Sequence, residues 1–179
     1  MRIISGKNRG RHLVAPKGMN TRPTADRVRE AMFNVLAPYL EAAKVLDVFG
    51  GTGAFSLEAL SRGAESAVIL DKDRKAQAAI AQNIELCGEG ERAKLLKGDS
   101  LQLLPTLQRS FDLIFLDPPY AKDLLFPAIS LILKYNLIND EGIVIIETAV
   151  GNDMSELPLE IRKESIYGDT KILYCLKRR

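Results

Sequence analysis

Tryptophan is absent from this chain, histidine occurs once and cysteine only twice. The lone histidine, His12, leaves no material for a Ser-His-Asp relay or a histidine-rich metal site, so no metal is expected. Cys87 and Cys175 share no motif and read as two small core residues, free thiols of a reducing, cytoplasmic compartment. No apolar run exceeds the length of a strand, which sets a membrane span aside. The first residues, Met1-Arg2-Ile3-Ile4-Ser5-Gly6-Lys7, put no apolar segment behind their charge, so a secretion signal is not expected either. A Gly-Lys-Ser/Thr phosphate loop, internal repeats and low-complexity tracts are missing too. What is present is an ordinary composition, 46% hydrophobic and 27% charged over 179 residues, with enough apolar material for one full core.

Charge is scarce in sum and uneven in place. The net value is +2, yet residues 1–30 carry eight Lys and Arg against Asp26 and Glu30, a local excess of six positive charges. A basic end on a slightly acidic body suits a polyanionic partner, and it also suits a plain solvated surface. Two short apolar-rich runs, 2–5 and 11–14, flank Gly6-Lys7-Asn8-Arg9-Gly10 and read as a β-hairpin. Lys7, Arg9 and Arg11 project from it as candidate nucleic-acid contacts. Pro16, Gly18, Asn20 and Pro23 then mark a loop. A helix follows from Thr24, a good N-cap, with Val28, Ala31, Met32, Val35 and Leu36 on one stripe.

From Val45 the chain alternates strand, turn and helix. Strands are expected at 45–49, 67–70, 93–96, 111–116 and 143–146, with helices at 55–62, from Asp73 to near Gly88, at 101–107 and at 124–133. Two final runs, 159–166 and 171–176, have too short a connection for a crossover and should pair antiparallel at one edge. The pattern predicts an α/β fold, a doubly wound, mostly parallel seven-stranded sheet with an antiparallel edge hairpin and an N-terminal hairpin extension. Residues 1–179 are read as one domain, 1–20 a basic hairpin and loop and 21–179 the core.

Ligands of such sheets lie beyond the carboxyl ends of the strands. The first of those ends reads Asp47-Val48-Phe49-Gly50-Gly51-Thr52-Gly53. Glycines there allow close approach of backbone to a ligand, though a tight strand–helix connection would use them as well. A dinucleotide fingerprint would need glycine at position 56, which is Ser56. Asp47 suits a cationic ligand better than a pyrophosphate, and the amino end of S-adenosylmethionine is cationic. Asp71 ends the next strand 20 positions after Gly51 and is placed to accept both ribose hydroxyl hydrogens; Asp73 competes but opens a helix. Asp99 follows the third strand and could receive an adenine amine or cap the helix after it.

The fourth strand ends in Asp117-Pro118-Pro119-Tyr120. An exocyclic base amine is a weak nucleophile because its lone pair is delocalised into the ring. Asp117 and the Pro118 carbonyl can accept its hydrogens while nitrogen pyramidalises, Pro119 stiffens the loop, and Tyr120 offers a ring for stacking. A rigid post-strand loop with no chemistry is the plainer alternative. No cysteine lies near Pro118, which argues against covalent C5-cytosine chemistry.

Together these residues resemble the bacterial 16S ribosomal RNA guanine-N2 methyltransferase family. The likeness runs through 2–6 with 9–11, 22–24 with 26–30 and 33–34, 47–53, 57–63 and 117–120. It implies a class I, Rossmann-like methyltransferase fold, S-adenosylmethionine as donor with S-adenosylhomocysteine as product, and a guanine of 16S rRNA or of a small-subunit particle as target. It further implies that Arg22, Thr24 and Arg29 help complete the cofactor pocket beside Asp47, Phe49, Gly50, Gly51, Gly53, Asp71 and Asp99. A monomer without membrane attachment is expected. The same chemistry on adenine N6 in DNA or RNA is the nearest alternative, followed by a non-catalytic RNA-binding assembly factor and a nicotinamide dehydrogenase.

Overall fold

The computed structural model describes residues 1–16, 23–119 and 121–178, without the side chains of 23–25, 121 and 122. Arg22 and Tyr120 therefore lie outside the described residues, as does the Thr24 side chain. Seven strands form one sheet, β1 Lys44–Asp47, β2 Ser66–Asp71, β3 Ala93–Lys97, β4 Phe111–Leu116, β5 Ile138–Ala149, β6 Leu159–Tyr167 and β7 Thr170–Lys177, in the order β3-β2-β1-β4-β5-β7-β6. The first five run parallel, and β7 enters antiparallel between β5 and the edge strand β6. The expected doubly wound sheet with its antiparallel edge hairpin is thus the observed one. Among the described residues no helix is long and apolar enough to cross a membrane.

Parallel strands covered on both faces must be apolar on both, and these are. Val45, Phe115, Ile145 and Tyr174 pack beneath α1 Pro23–Leu36, α2 Ala54–Ser61 and α3 Arg74–Cys87. On the other face Leu46, Ile114, Leu116, Val144 and Leu173 meet α4 Ser100–Leu103 and α5 Ala121–Lys134. Helix ends follow local chemistry. Asp73 accepts the amides of Lys75 and Ala76 at 2.9 and 2.8 Å, and Gly88 closes α3 in the left-handed region at φ 65°. Cys87 and Cys175 are both free and buried, as the core reading of them expects.

Boundaries differ from expectation in three places. Strand β1 stops at Asp47 instead of running to Phe49, because Val48 and Phe49 already bend into the glycine turn. Strand β5 begins at Ile138, five residues before its apolar run, with polar Asn139, Asp140 and Glu141 inside it and a register shift opposite Phe111 to Leu113. The N-terminal hairpin is present but reduced to one antiparallel bridge, Arg2 with His12, flanked by backbone bonds from Ile3 to Arg11, Gly10 to Ile3 and Leu13 to Met1.

That reduction has a reason. The amides of Ile4 and Ser5 leave any ladder and donate to Glu58 at 2.8 and 3.1 Å, while Asn8 donates to Ser61 Oγ at 2.9 Å and Lys7 to the Ser61 carbonyl at 2.8 Å. Asn8 also reaches Glu89 at 2.8 Å, and Val14 is clamped by Asn83. Residues 1–14 therefore form an arm bound to α2 and α3, with Ile3 and Leu13 buried in the core. Gly6 is required where it is: a Cβ there would sit 1.8 Å from the Ser61 carbonyl oxygen.

Candidate active site

The strand order reverses between β1 and β4, and a cavity of about 1010 Å³ opens at that end of the sheet. Its wall includes Phe49, Gly50, Gly51 and Thr52 after β1, Asp71 after β2, Asp99 after β3, Asp117 and Pro119 after β4, and Glu147 at the end of β5. Four parallel strands thus deliver carboxylates to a single hollow, with Asp73 beside Asp71 after β2.

The glycine turn is held from below and from the side. Gly50 donates to the Leu70 carbonyl at 2.8 Å, and Gly51, at φ 59°, donates to Asp71 Oδ2 at 2.9 Å. Asp71 Oδ1 accepts the Asp73 amide at 2.8 Å. Each oxygen keeps a lone-pair direction for a ligand, and backbone donors hold the carboxylate still. Asp73 caps α3 and lines the cavity as well. Asp99 caps α4, its Oδ1 accepting the Leu101 amide at 2.9 Å, and the residue also faces the cavity. Gly53 is buried behind the turn, where it opens α2.

Asp47 does not line the cavity. It lies buried beneath the glycine turn, where Ser56 Oγ donates to it at 3.3 Å. Burial raises its pKa to about 7, opposed by the Ser56 hydrogen bond and reinforced by the charge of Asp71. Arg29 is also buried, lines the cavity, and is tied to Asp26 at 3.0 Å, to the Arg2 carbonyl and, at 3.9 Å, to Glu58. Its Nε finds no hydrogen-bond partner among the described residues.

Asp117 opens onto the cavity, and its side chain is exposed in area. Protein nevertheless surrounds the carboxylate on every side but the opening. That desolvation, then the charges of Glu147 and Asp47, push its pKa well above the usual carboxylate range. Glu147 is pushed up as well, by desolvation. Pro118 is buried and outside the wall, while Pro119 is exposed on it.

Two parts of the wall carry no sequence motif. Glu147 is a single acid ending the apolar run Ile143–Ile146, and that isolation is its one signal. The β6–β7 turn, Tyr167 to Thr170, arrives because β7 runs antiparallel to β5, which sets Thr170 beside Ala149. Glu58, within the 57–63 segment of the resemblance but given no role there, is fully buried on a short helix and binds two arm amides and Arg62, the latter at 2.7 Å. Lys7, Arg9 and Arg11 are exposed on the outer side of the arm, and His12 is exposed beside them. Met1 and Pro16, at the two ends of the arm, reach the cavity wall.

Residues 1–176 match the family described as conserved hypothetical protein 95. The chain is 34% identical over 181 residues to ribosomal RNA small subunit methyltransferase D of Escherichia coli strain K12, covering 100% of this chain and 90% of that one. The protein of the same name from Haemophilus influenzae is 38% identical over 151 residues, 83% of this chain and 78% of its own. Among solved structures, the Escherichia coli yhhF chain superposes with a TM-score of 0.87 at 33% identity, covering 100% of this chain and 99% of that one. The SAH-bound methyltransferase PaMTH1 of Podospora anserina shares the fold, with a TM-score of 0.68 at 20% identity over 88% of this chain and 83% of its own.

Proposed function

The chain belongs to the conserved hypothetical protein 95 family, and from that footing we propose that it transfers a methyl group from S-adenosylmethionine to the N2 amine of a guanine in small-subunit ribosomal RNA. One observation carries the reading. The acids placed to hold a nucleoside, Asp71 and Asp99, and the acid placed to take an amine hydrogen, Asp117, line the same cavity from neighbouring strands.

The residues present fit the donor. Ligand pockets span about 300–1,000 Å³, so a cavity of about 1010 Å³ has room for a nucleoside and for a second flat group. Asp71 offers two fixed acceptors to vicinal ribose hydroxyls. The second oxygen of Asp99 can accept an adenine amine, and Phe49, Val28 and Met32 supply apolar wall. Asp47 acts from beneath the turn, its carboxylate favouring a cationic group above it.

When bound, S-adenosylmethionine supplies a methyl group made electrophilic by its sulfonium. Asp117 accepts a hydrogen bond from the target amine and so localises the nitrogen lone pair for attack. Asp117 would also accept the proton that the nitrogen gives up once it carries the methyl group. Alignment and fixed charge account for the gain in rate. RNA reaches the cavity past the arm, whose exposed Lys7, Arg9 and Arg11 suit phosphate oxygens.

The test is label transfer from S-adenosylmethionine to deproteinised small-subunit RNA and to small-subunit particles, followed by digestion to nucleosides. N2-methylguanosine is the expected product. Label in N6-methyladenosine would overturn the base assignment, and none in any RNA would overturn the activity.

A further inference from the structure

Strands β4 and β5 are parallel neighbours with Leu116 opposite Ile146, so the next residue of each, Asp117 and Glu147, stand level. Neighbouring strands lie about 4.8 Å apart, and alternate residues share a face. Asp117 is two past Phe115 and Glu147 two past Ile145, both on the sheet face under α1 and α2, and both acids line the cavity. Asp47 occupies that face too, but level with Phe115, buried and bonded to Ser56. Neither Asp117 nor Glu147 has a hydrogen bond or salt bridge among the described residues. Two side-by-side acceptors, with no other partner, therefore face one opening.

We propose that Glu147 selects guanine, its carboxylate accepting the base N1–H while Asp117 accepts from the adjacent N2 amine. The inference rests on the reading of this site as a guanine-N2 methyltransferase. Guanine alone among the amine-bearing bases carries a donor, N1–H, next to its exocyclic amine. Adenine N1 and cytosine N3 are acceptors, and either would set a lone pair against the Glu147 carboxylate with no hydrogen between them. The contact also assists the transfer. A carboxylate drawing on N1–H returns electron density to the ring and lessens the withdrawal that makes N2 a weak nucleophile. Both pKa values are raised, by desolvation first and at Asp117 also by the charge of Glu147, and a base that brings two donors relieves both acids.

The base analogue 2,6-diaminopurine keeps the N2 amine and makes N1 an acceptor. Small-subunit particles are assembled from ligated RNA carrying guanine or diaminopurine at the mapped target, and kcat/KM is measured for each. The parent protein should prefer guanine by about ten- to a hundredfold. In Glu147→Gln the carboxamide can turn its N–H toward an N1 acceptor. That variant should lose most guanine turnover and reduce the preference at least about tenfold, with cofactor affinity and melting temperature unchanged. A parent protein that takes both bases equally overturns the proposal without any variant. So does an unchanged preference in Glu147→Gln, whether guanine turnover persists or both bases fall together. If the parent methylates guanine and only the preference fails to move, Glu147 alone loses its role. If it methylates no guanine, the reading beneath it fails as well.

Discussion

Among the described residues the Asp117 side chain has no hydrogen bond or salt bridge to lose, so its removal isolates chemistry. Asp117→Ala should abolish methyl transfer while calorimetric titration shows S-adenosylmethionine affinity within about twofold of the parent. Asp71→Ala should do the reverse, weakening cofactor binding roughly ten- to a hundredfold through the missing hydrogen bonds to a charged group. Equal losses of affinity in both variants would place Asp117 in the cofactor site. Asp47 makes a prediction about pH. Its pKa rises from an unfolded value of about 3.9 to about 7 in the fold, so the folded state holds that proton more tightly. The stability so gained is complete below about pH 4 and is lost as pH climbs through 7. Asp47→Asn never charges. It should melt higher than the parent at pH 8, by about 2–4 °C for each kcal/mol relieved, with the gap closing toward pH 4. A gap independent of pH would show that the Asp47 charge is not the cause. The Asp73 cap is legible in the sequence because a residue opening a helix reads as its cap. Glu147 is not, since an acid ending an apolar strand acquires meaning only when the neighbouring strand and its register are known.

Short elements carry the arm. Glu58 sits on α2 with its carboxylate fully enclosed, accepting the Ile4 and Ser5 amides and pairing with Arg62. Glu58→Ala would leave those two amides and the Arg62 guanidinium without their carboxylate. Removing one partner of a buried pair costs about 3–5 kcal/mol, so the melting temperature should fall by on the order of 10 °C. A change below about 2 °C would mean that the bonds of Lys7, Asn8 and Val14 and the burial of Ile3 and Leu13 hold the arm without Glu58. The sequence suggests a hairpin with little burial of its own; the structure instead commits its amides to α2. Alternation of apolar residues cannot reveal that, because Ile3, Gly10 and Leu13 keep cross-strand bonds while the acceptor of the Ile4 and Ser5 amides comes from a distant helix. The outward side chains are a separate matter. Arg9→Ala with Arg11→Ala should weaken RNA binding and flatten its salt dependence by about 0.7–0.9 log units for each phosphate no longer neutralised, leaving cofactor affinity and melting temperature unmoved. Unchanged RNA affinity and salt slope in that variant would put the RNA path elsewhere.

Over the whole molecule, the doubly wound order can be read because each strand of β1 to β4 is a short apolar run followed by a helix with clear start and stop signals. The length of β5 cannot, since Asn139, Asp140 and Glu141 look like a loop until Phe111 pairs with Ile138. The cavity itself is legible only in halves. Motifs mark its floor after β1, β2, β3 and β4, while the β6–β7 turn and the ends of the arm close it from parts of the chain far away in sequence.

The arm's attachment also bears on the order of events as the protein is made. Asn8 finds Glu89 across 81 positions, and Val14 finds Asn83 across 69. Ribosomal synthesis delivers the arm long before α2 and α3, so its amides wait in water while a large loop remains open, and closing that loop is slow. Docking can follow only once those helices have settled on the sheet, and the same event brings Met1 and Pro16 to the cavity wall. Catalytic competence is thereby scheduled for the end of folding: a nascent chain can be compact, with its sheet assembled, and still lack one side of the chamber in which it works.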